Sequence, residues 1–188
     1  MSVLTTHRWT VEDYHQMADA GVFAPEARVE LIDGEVYDMM PIGPFHAGVT
    51  APLVRFFNRM AGDRWLVWPQ NPLRLDDLSE PVPDVALLKP SKDDYTSSHP
   101  TAEDVLLIIE VADSTVNHDR GKKLPAYAKA GIPEFWLVNL SKRKLEVYRK
   151  PHYLGYDEHS VYSPGQSISP AVFPDAVVDV EALLRQTG

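Results

Sequence analysis

No cysteine occurs anywhere in the 188 residues. Its absence excludes a disulfide scaffold, a thiol nucleophile and any cysteine-ligated zinc or iron-sulfur centre. No apolar run approaches the roughly 20 residues needed to cross a bilayer, and the stretch up to Trp9 lacks the apolar core of a signal peptide. A soluble, cytoplasmic chain with no membrane partner is therefore expected. Familiar catalytic signatures are missing too: no Gly-x-Ser-x-Gly, no Gly-rich phosphate cradle before Lys-Ser/Thr, no His-Glu-x-x-His and no dinucleotide fingerprint. Positive charge is scarce, with 18 Lys and Arg against 27 Asp and Glu, a net of -9. Tight unspecific nucleic-acid binding is disfavoured by that balance, because such binding is driven by basic side chains neutralising phosphates. A nuclease remains compatible with it, since an acidic metal pocket adds negative charge of its own and a local basic strip can still hold a backbone. Neither repeats nor low-complexity segments are present.

What is present suggests one domain over residues 1–188, long enough to bury a core unaided. Thr10, followed by Glu12 and Asp13, predicts a capped helix that stops at Gly21. Over residues 28–40, two β-prone runs joined by Asp33 and Gly34 predict a hairpin. Glu30 falls inside its first strand, free to face solvent or a pocket, and a lone carboxylate in a hairpin is ordinarily solvated. Val49, Leu53, Phe56, Phe57 and Met60 recur at helical spacing, so a helix packs one face on a sheet. Pro52 either kinks it or marks a late start. His46, at its N-terminal end, reads as a cap or surface residue. Trp65 to Leu75 predicts a strand with a bulge or bend near Gln70. The polar, proline-punctuated residues 89–103 predict a surface loop. A further buried strand is expected over residues 134–140. Lys142 to Lys144 reads as a turn into a run of basic residues interleaved with aromatics up to Tyr153. That run either tracks a phosphate backbone or is a solvated hairpin tip. The tail reads as an extended edge and a short closing helix.

The most informative stretch is residues 81–123. Val105, Leu106, Leu107, Ile108 and Ile109 run straight into Glu110, a pattern of a strand covered on both faces. A carboxylate at that depth is costly unless a cation, a lysine or both accompany it. Asp84 enters another short strand after Pro83, and would meet Glu110 if the two strands are neighbours. Asp84 and Glu110 together would suit magnesium, which keeps several waters and uses one or two protein carboxylates. Taken singly, each carboxylate has an ordinary explanation, as a strand entry or a salt-bridge partner. A helix from about residue 117 to Gly131 follows. With about 100° of turn per residue, Leu124, Tyr127, Ala128 and Gly131 share a face, Lys122 points away and Lys123 lies at the margin. Lys123 is then the lysine that can reach Glu110.

Pro83-Asp84, the acid of Ile109-Glu110-Val111 and a lysine on the following helix resemble the PD-(D/E)XK nuclease superfamily. Ala112 occupies the place two residues after the Glu where that pattern normally has its lysine. More specifically, the chain resembles the Uma-type endonuclease family, in which the lysine has moved to the helix. The resemblance covers most of the chain, including the blocks around Glu30 to Glu35, Met40 to His46, Gln70 to Leu75, Ser79 to Asp84, Asp119 to Tyr127 and Gly131 to Trp136.

It implies an α/β (α+β) fold with a restriction-endonuclease-like core of helix, three strands, helix and strand. The central mixed sheet is flanked by helices, with the hairpin added in front. It further implies phosphodiester hydrolysis with Mg (or Mn), with Asp84, Glu110 and the Val111 carbonyl as metal ligands and Lys123 as the catalytic lysine. Glu30, His46 and Gln70 become supporting pocket residues by resemblance. The expected partner is nucleic acid, in the first place DNA, and a homodimer would let two sites cut both strands. Two rivals are a catalytically silent nuclease fold used as an interaction module and a metal-dependent hydrolase of another phosphoester. The negative charge and Ala112 favour the first of these.

Overall fold

The structure, a computed structural model, describes residues 5–184. Residues 1–4, part of the stretch read above for a leader, lie outside the described residues. Among the described residues no helix is long and apolar enough to cross a membrane.

Thr10 caps α1 (Val11–Asp19) as expected. Its hydroxyl accepts the Asp13 N–H at 3.1 Å while the Asp13 carboxylate accepts the Thr10 N–H at 2.9 Å, so two orphan donors are satisfied reciprocally. The hairpin follows as β1 (Val29–Ile32) and β2 (Glu35–Asp38). Asp33 and Gly34 take φ of 51° and 76°, the pair of positive values that a two-residue I′ turn requires. This hairpin is a sheet of its own, joined to the loop at residues 70–84, within the main sheet's connections, by a bridge between Leu31 and Glu80.

α2 (Pro44–Ala61) runs through Pro52 without a late start. Pro52 and Gly48, whose carbonyl loses its helical donor to the proline ring, are both exposed, so water can replace the missing bond. β3 (Leu66–Pro69) ends where a bulge was expected. Gln70 adopts φ 50° and turns its N–H to the carbonyls of Pro83 and Asp84 at 3.1 and 3.2 Å, which takes the chain out of the sheet. β4 (Val85–Leu88) and β5 (Val105–Ala112) are linked by the expected surface loop, closed by a 3₁₀ turn at Ala102–Asp104.

The next helical segment is α3 (Val116–His118), a wide π turn (Asp119–Lys123) and α4 (Leu124–Lys129). Within the turn the Leu124 N–H bonds the Asp119 carbonyl, five residues back. Pro125 supplies a reason: its ring would strike the Gly121 carbonyl in a regular helix and it has no N–H to offer, so the turn upstream opens. Gly131, at φ 80°, ends α4 in a Schellman arrangement, with Ile132 N–H on the Tyr127 carbonyl and Gly131 N–H on the Ala128 carbonyl, both at 3.0 Å.

β6 (Glu134–Asn139), β7 (Lys144–His152) and β8 (Gly155–Tyr162) complete a mixed six-stranded sheet of order β3-β4-β5-β6-β7-β8. Only β5 and β6 run parallel, joined by the helical crossover. β7 and β8 extend the expected core beyond its fourth strand. The chain closes with the paired β9 (Ser167–Ile168) and β10 (Val178–Asp179) and with α5 (Val180–Leu183), capped by Asp179.

Both faces of the sheet are covered. Val85, Leu107, Ile109, Val111 and Trp136 pack towards α2 and the C-terminal elements. Ala86, Ile108, Phe135 and Leu137 pack towards Tyr127 and Ile132. The period-2 alternation of β5 therefore assigns Glu110 to the second face, beneath the helical segment that carries Lys123.

Candidate active site

The antiparallel register of β4 and β5 sets Val85 opposite Ile109, which brings Asp84 beside Glu110 although 26 residues separate them. The Asp84 N–H donates to Glu110 Oε2 at 3.3 Å, and the Val111 N–H donates to Asp84 Oδ2 at 2.8 Å. His46, near the start of α2, places Nε2 3.0 Å from the same Oδ2. The Gln70 amide reaches Asp84 Oδ1 at 3.5 Å.

Glu110 is 3% exposed. Its Oε1 accepts from Lys123 Nζ at 3.0 Å and from the Tyr127 hydroxyl at 2.7 Å. Lys123 Nζ also lies 3.1 Å from Glu30 Oε2 and 3.4 Å from the Val82 carbonyl. Glu30 in turn accepts the Val82 N–H at 3.1 Å and has His118 Nε2 3.6 Å away. Asp119, buried on the same wide turn as Lys123, accepts the Thr115 hydroxyl at 2.9 Å. These acids, Lys123, His46 and Val111 all line one open cleft of about 660 Å³.

The charges in this cleft do not balance. Four carboxylates, Glu30, Asp84, Glu110 and Asp119, face a single buried ammonium. Burial raises the Glu110 carboxyl well above its usual range; Lys123 opposes the shift, while Asp84, Asp119 and Glu30 add to it. Asp119 is likewise pushed up by burial. Burial acts against Asp84 as well, yet its bonds from His46 and Val111 outweigh it and hold the carboxyl below its ordinary value. Glu30 is held down in the same way by Lys123, His118 and the Val82 N–H, against burial. Lys123 is raised despite desolvation, because Glu110, Glu30, Asp119 and Asp84 surround it. The hydrogen bond to Asp84 raises His46.

Such a donor set fits a hard divalent cation. Two adjoining carboxylates, one held ionised by its own donors and one short of positive charge, can gain from a cation that accepts further oxygen ligands from backbone and water. Among the described residues no group of three or more His, Asp or Glu side chains converges with metal-binding geometry, so protein side chains alone would not complete the shell. Asp84, Glu110 and the Val111 carbonyl would hold a magnesium-like ion with waters in its remaining positions.

Of the residues singled out from the sequence, Asp84, Glu110, Val111, Lys123, Glu30 and His46 meet in this cleft. Gln70 contacts Asp84 from a neighbouring cleft. Lys122 points outward onto Glu35 at 2.8 Å, as the helical spacing predicted. His46 is half-buried against Asp84 rather than a surface cap. The basic and aromatic run after Lys142 lines neither cleft; Ser141 to Arg143 form an exposed tip, but Leu145 to Tyr148 are buried in β7 rather than solvated. Sequence reasoning missed Asp119, His118 and the hydroxyl of Tyr127. The four-residue spacing from Lys123 was the available signal for Asp119, because residues four apart share a helix face.

A family model described as "Uma2: Putative restriction endonuclease" matches residues 11–181. Comparison with curated proteins gives no match. Among solved structures, the chain is similar to a crystal structure of "a putative nuclease belonging to DUF820" from Anabaena variabilis ATCC 29413. The TM-score is 0.72 at 18% identity, covering 93% of this chain and 97% of the other. At that identity the likeness speaks for the fold.

Proposed function

The chain belongs to the Uma2 family of restriction-endonuclease-like proteins, and from that premise we infer that it is a divalent-metal-dependent endonuclease that hydrolyses phosphodiester bonds in DNA. The observation that carries this reading is the charge imbalance of the cleft: a buried Glu110 beside an ionised Asp84, with one lysine for four acids. Asp84, Glu110 and the Val111 carbonyl are assigned to Mg or Mn. Once bound, that cation would polarise a phosphoryl oxygen and acidify a water.

The remaining work falls to the chain itself. Lys123, kept protonated by its acidic neighbours, offsets negative charge as it builds on the phosphate. Tyr127 and Glu30 fix the directions of Glu110 and Lys123, and His46 and Gln70 do the same for Asp84. Two copies related by a twofold axis would present two such clefts to the two strands of a duplex. Incubation of the purified protein with duplex and single-stranded DNA in Mg or Mn is the direct test. Asp84→Ala and Glu110→Ala should each abolish metal-dependent cleavage while leaving a folded protein by circular dichroism. Cleavage retained in both variants would sink the assignment.

A further inference from the structure

A second cleft, of about 430 Å³, adjoins the acidic one and shares Arg28, Met39 and Val82 with it. Gln70 joins the two from the other side, lining the second cleft while its amide reaches Asp84. None of the groups assigned above to metal or phosphate lies in this second space; Gln70, which positions Asp84, does. Its wall is built of Tyr14 and Phe23, whose ring centroids stand 5.6 Å apart at 48°, and continues through Pro25. The Tyr14 hydroxyl is taken up by the Val29 carbonyl at 3.0 Å, so the ring, and not the hydroxyl, is what Tyr14 offers a ligand.

Arg28 stands where the clefts meet. It is exposed and has no ion-pair partner among the described residues. The cations of the helical segment opposite are all committed: Arg120 to Glu146, Lys122 to Glu35, Lys123 to Glu30 and Glu110, Lys129 to Asp76. Asp38 and Asp113 are exposed at the mouth of the acidic cleft and would repel a broad duplex backbone. An apolar aromatic wall beside a free guanidinium, continuous with a phosphate-cutting cleft, has the alternation of a nucleotide: a flat base, then an anion.

We propose that the second cleft binds the nucleotide next to the scissile phosphate, with its base unpaired against Phe23 and Tyr14 and its phosphate on Arg28. The substrate strand thus enters single-stranded or locally melted, because a base still in the helical stack cannot lay its face on a side chain. This inference rests on the nuclease reading of the first cleft.

Fluorescence anisotropy on the full chain in calcium tests it. The probes are a labelled DNA strand of roughly 15 nucleotides, the matching duplex, and the same duplex with a central unpaired bubble. The strand and the bubble should bind about tenfold or more tighter than the duplex. Phe23→Leu keeps apolar bulk but removes the ring, and should weaken strand binding about tenfold, whereas Phe23→Tyr should not. Arg28→Ala, at an exposed position, should weaken it and reduce the slope of log affinity against log salt by about 0.7.

Duplex binding as tight as strand binding would overturn the proposal. So would wild-type binding by Phe23→Leu and Arg28→Ala. A cleavage assay in manganese separates the two readings. Cleavage of the duplex by Phe23→Leu at the wild-type rate removes the subsite and leaves the nuclease standing. Phe23-dependent strand binding with no cleavage of any substrate removes the nuclease and leaves the subsite.

Discussion

Glu110 and Glu146 lie in one row across the central sheet, with Leu137 between them, and the same helical segment covers both. Two strand spacings separate them, roughly 10 Å. Each is almost fully buried. Their surroundings differ in one respect, the supply of donors. Glu146 accepts two bonds from the Arg120 guanidinium, one from the Tyr148 hydroxyl at 2.8 Å and one from the Asn139 amide at 3.2 Å, with His159 Nε2 3.9 Å away. Burial pushes its carboxyl up, but these donors outweigh burial and hold it below the usual range. Glu110 has Lys123, Tyr127 and the Asp84 N–H, yet shares its cation with three other acids and is driven the other way. Burial of a carboxylate is thus no mark of function by itself; the shortage of positive charge around it is.

The sharpest way to break this comparison is to remove the cation from each side. Lys123→Met leaves Glu30 and Glu110 buried without their shared partner and should cost about 3–5 kcal/mol, seen as a fall in melting temperature of about 10 °C. Added manganese should return part of that loss. If manganese leaves the variant unchanged, the cleft does not accept a cation in place of the ammonium.

Glu146→Gln should cost less, about 1.5–3 kcal/mol for its charge-assisted bonds, with no change in the response to manganese. Its pH dependence has a definite sign. The folded carboxyl titrates below the unfolded one, so its stabilisation is whole above about pH 4.3 and is lost as pH falls through the lower, folded value. Wild type should therefore lose more stability than Glu146→Gln between about pH 5 and pH 3 in urea melts. Parallel losses would show that Glu146 is not held down.

Tyr127→Phe removes one neutral donor from Glu110 and should cost about 1 kcal/mol, the smallest of these effects. A calorimetric melt resolves it. A loss as large as that of Lys123→Met would move the weight of the site from charge to the buried hydroxyl.

Much of this arrangement could be read from local pattern. Asp33-Gly34 dictated the hairpin that carries Glu30, the aliphatic run dictated the depth of Glu110, and helical spacing separated Lys123 from Lys122. What escaped depends on contacts between distant segments or on acids that look solvated when taken alone. The prolines around Gln70 announced a bend there, but not that the carbonyls of Pro83 and Asp84 would take its N–H. Asp119 stayed hidden because a lone acid at the start of a helix is ordinarily solvated, although its four-residue spacing from Lys123 sets both on one face. Glu146 is spaced like any inward strand residue, and only the fold reveals that Arg120, on the other end of the same turn, neutralises it.

The central claim is that Asp84 and Glu110 leave room, in charge and in oxygen ligands, for one divalent cation. Thermal melts of wild type and Glu110→Gln across a manganese titration test it most directly. At a hundredfold excess over the dissociation constant, wild type should gain about 2.7 kcal/mol, or about 5–10 °C. Glu110→Gln should melt a few degrees above metal-free wild type, on the order of 1 kcal/mol, because one buried charge is gone, and should then ignore the metal. A wild type that does not respond, or a variant that responds equally, contradicts the account.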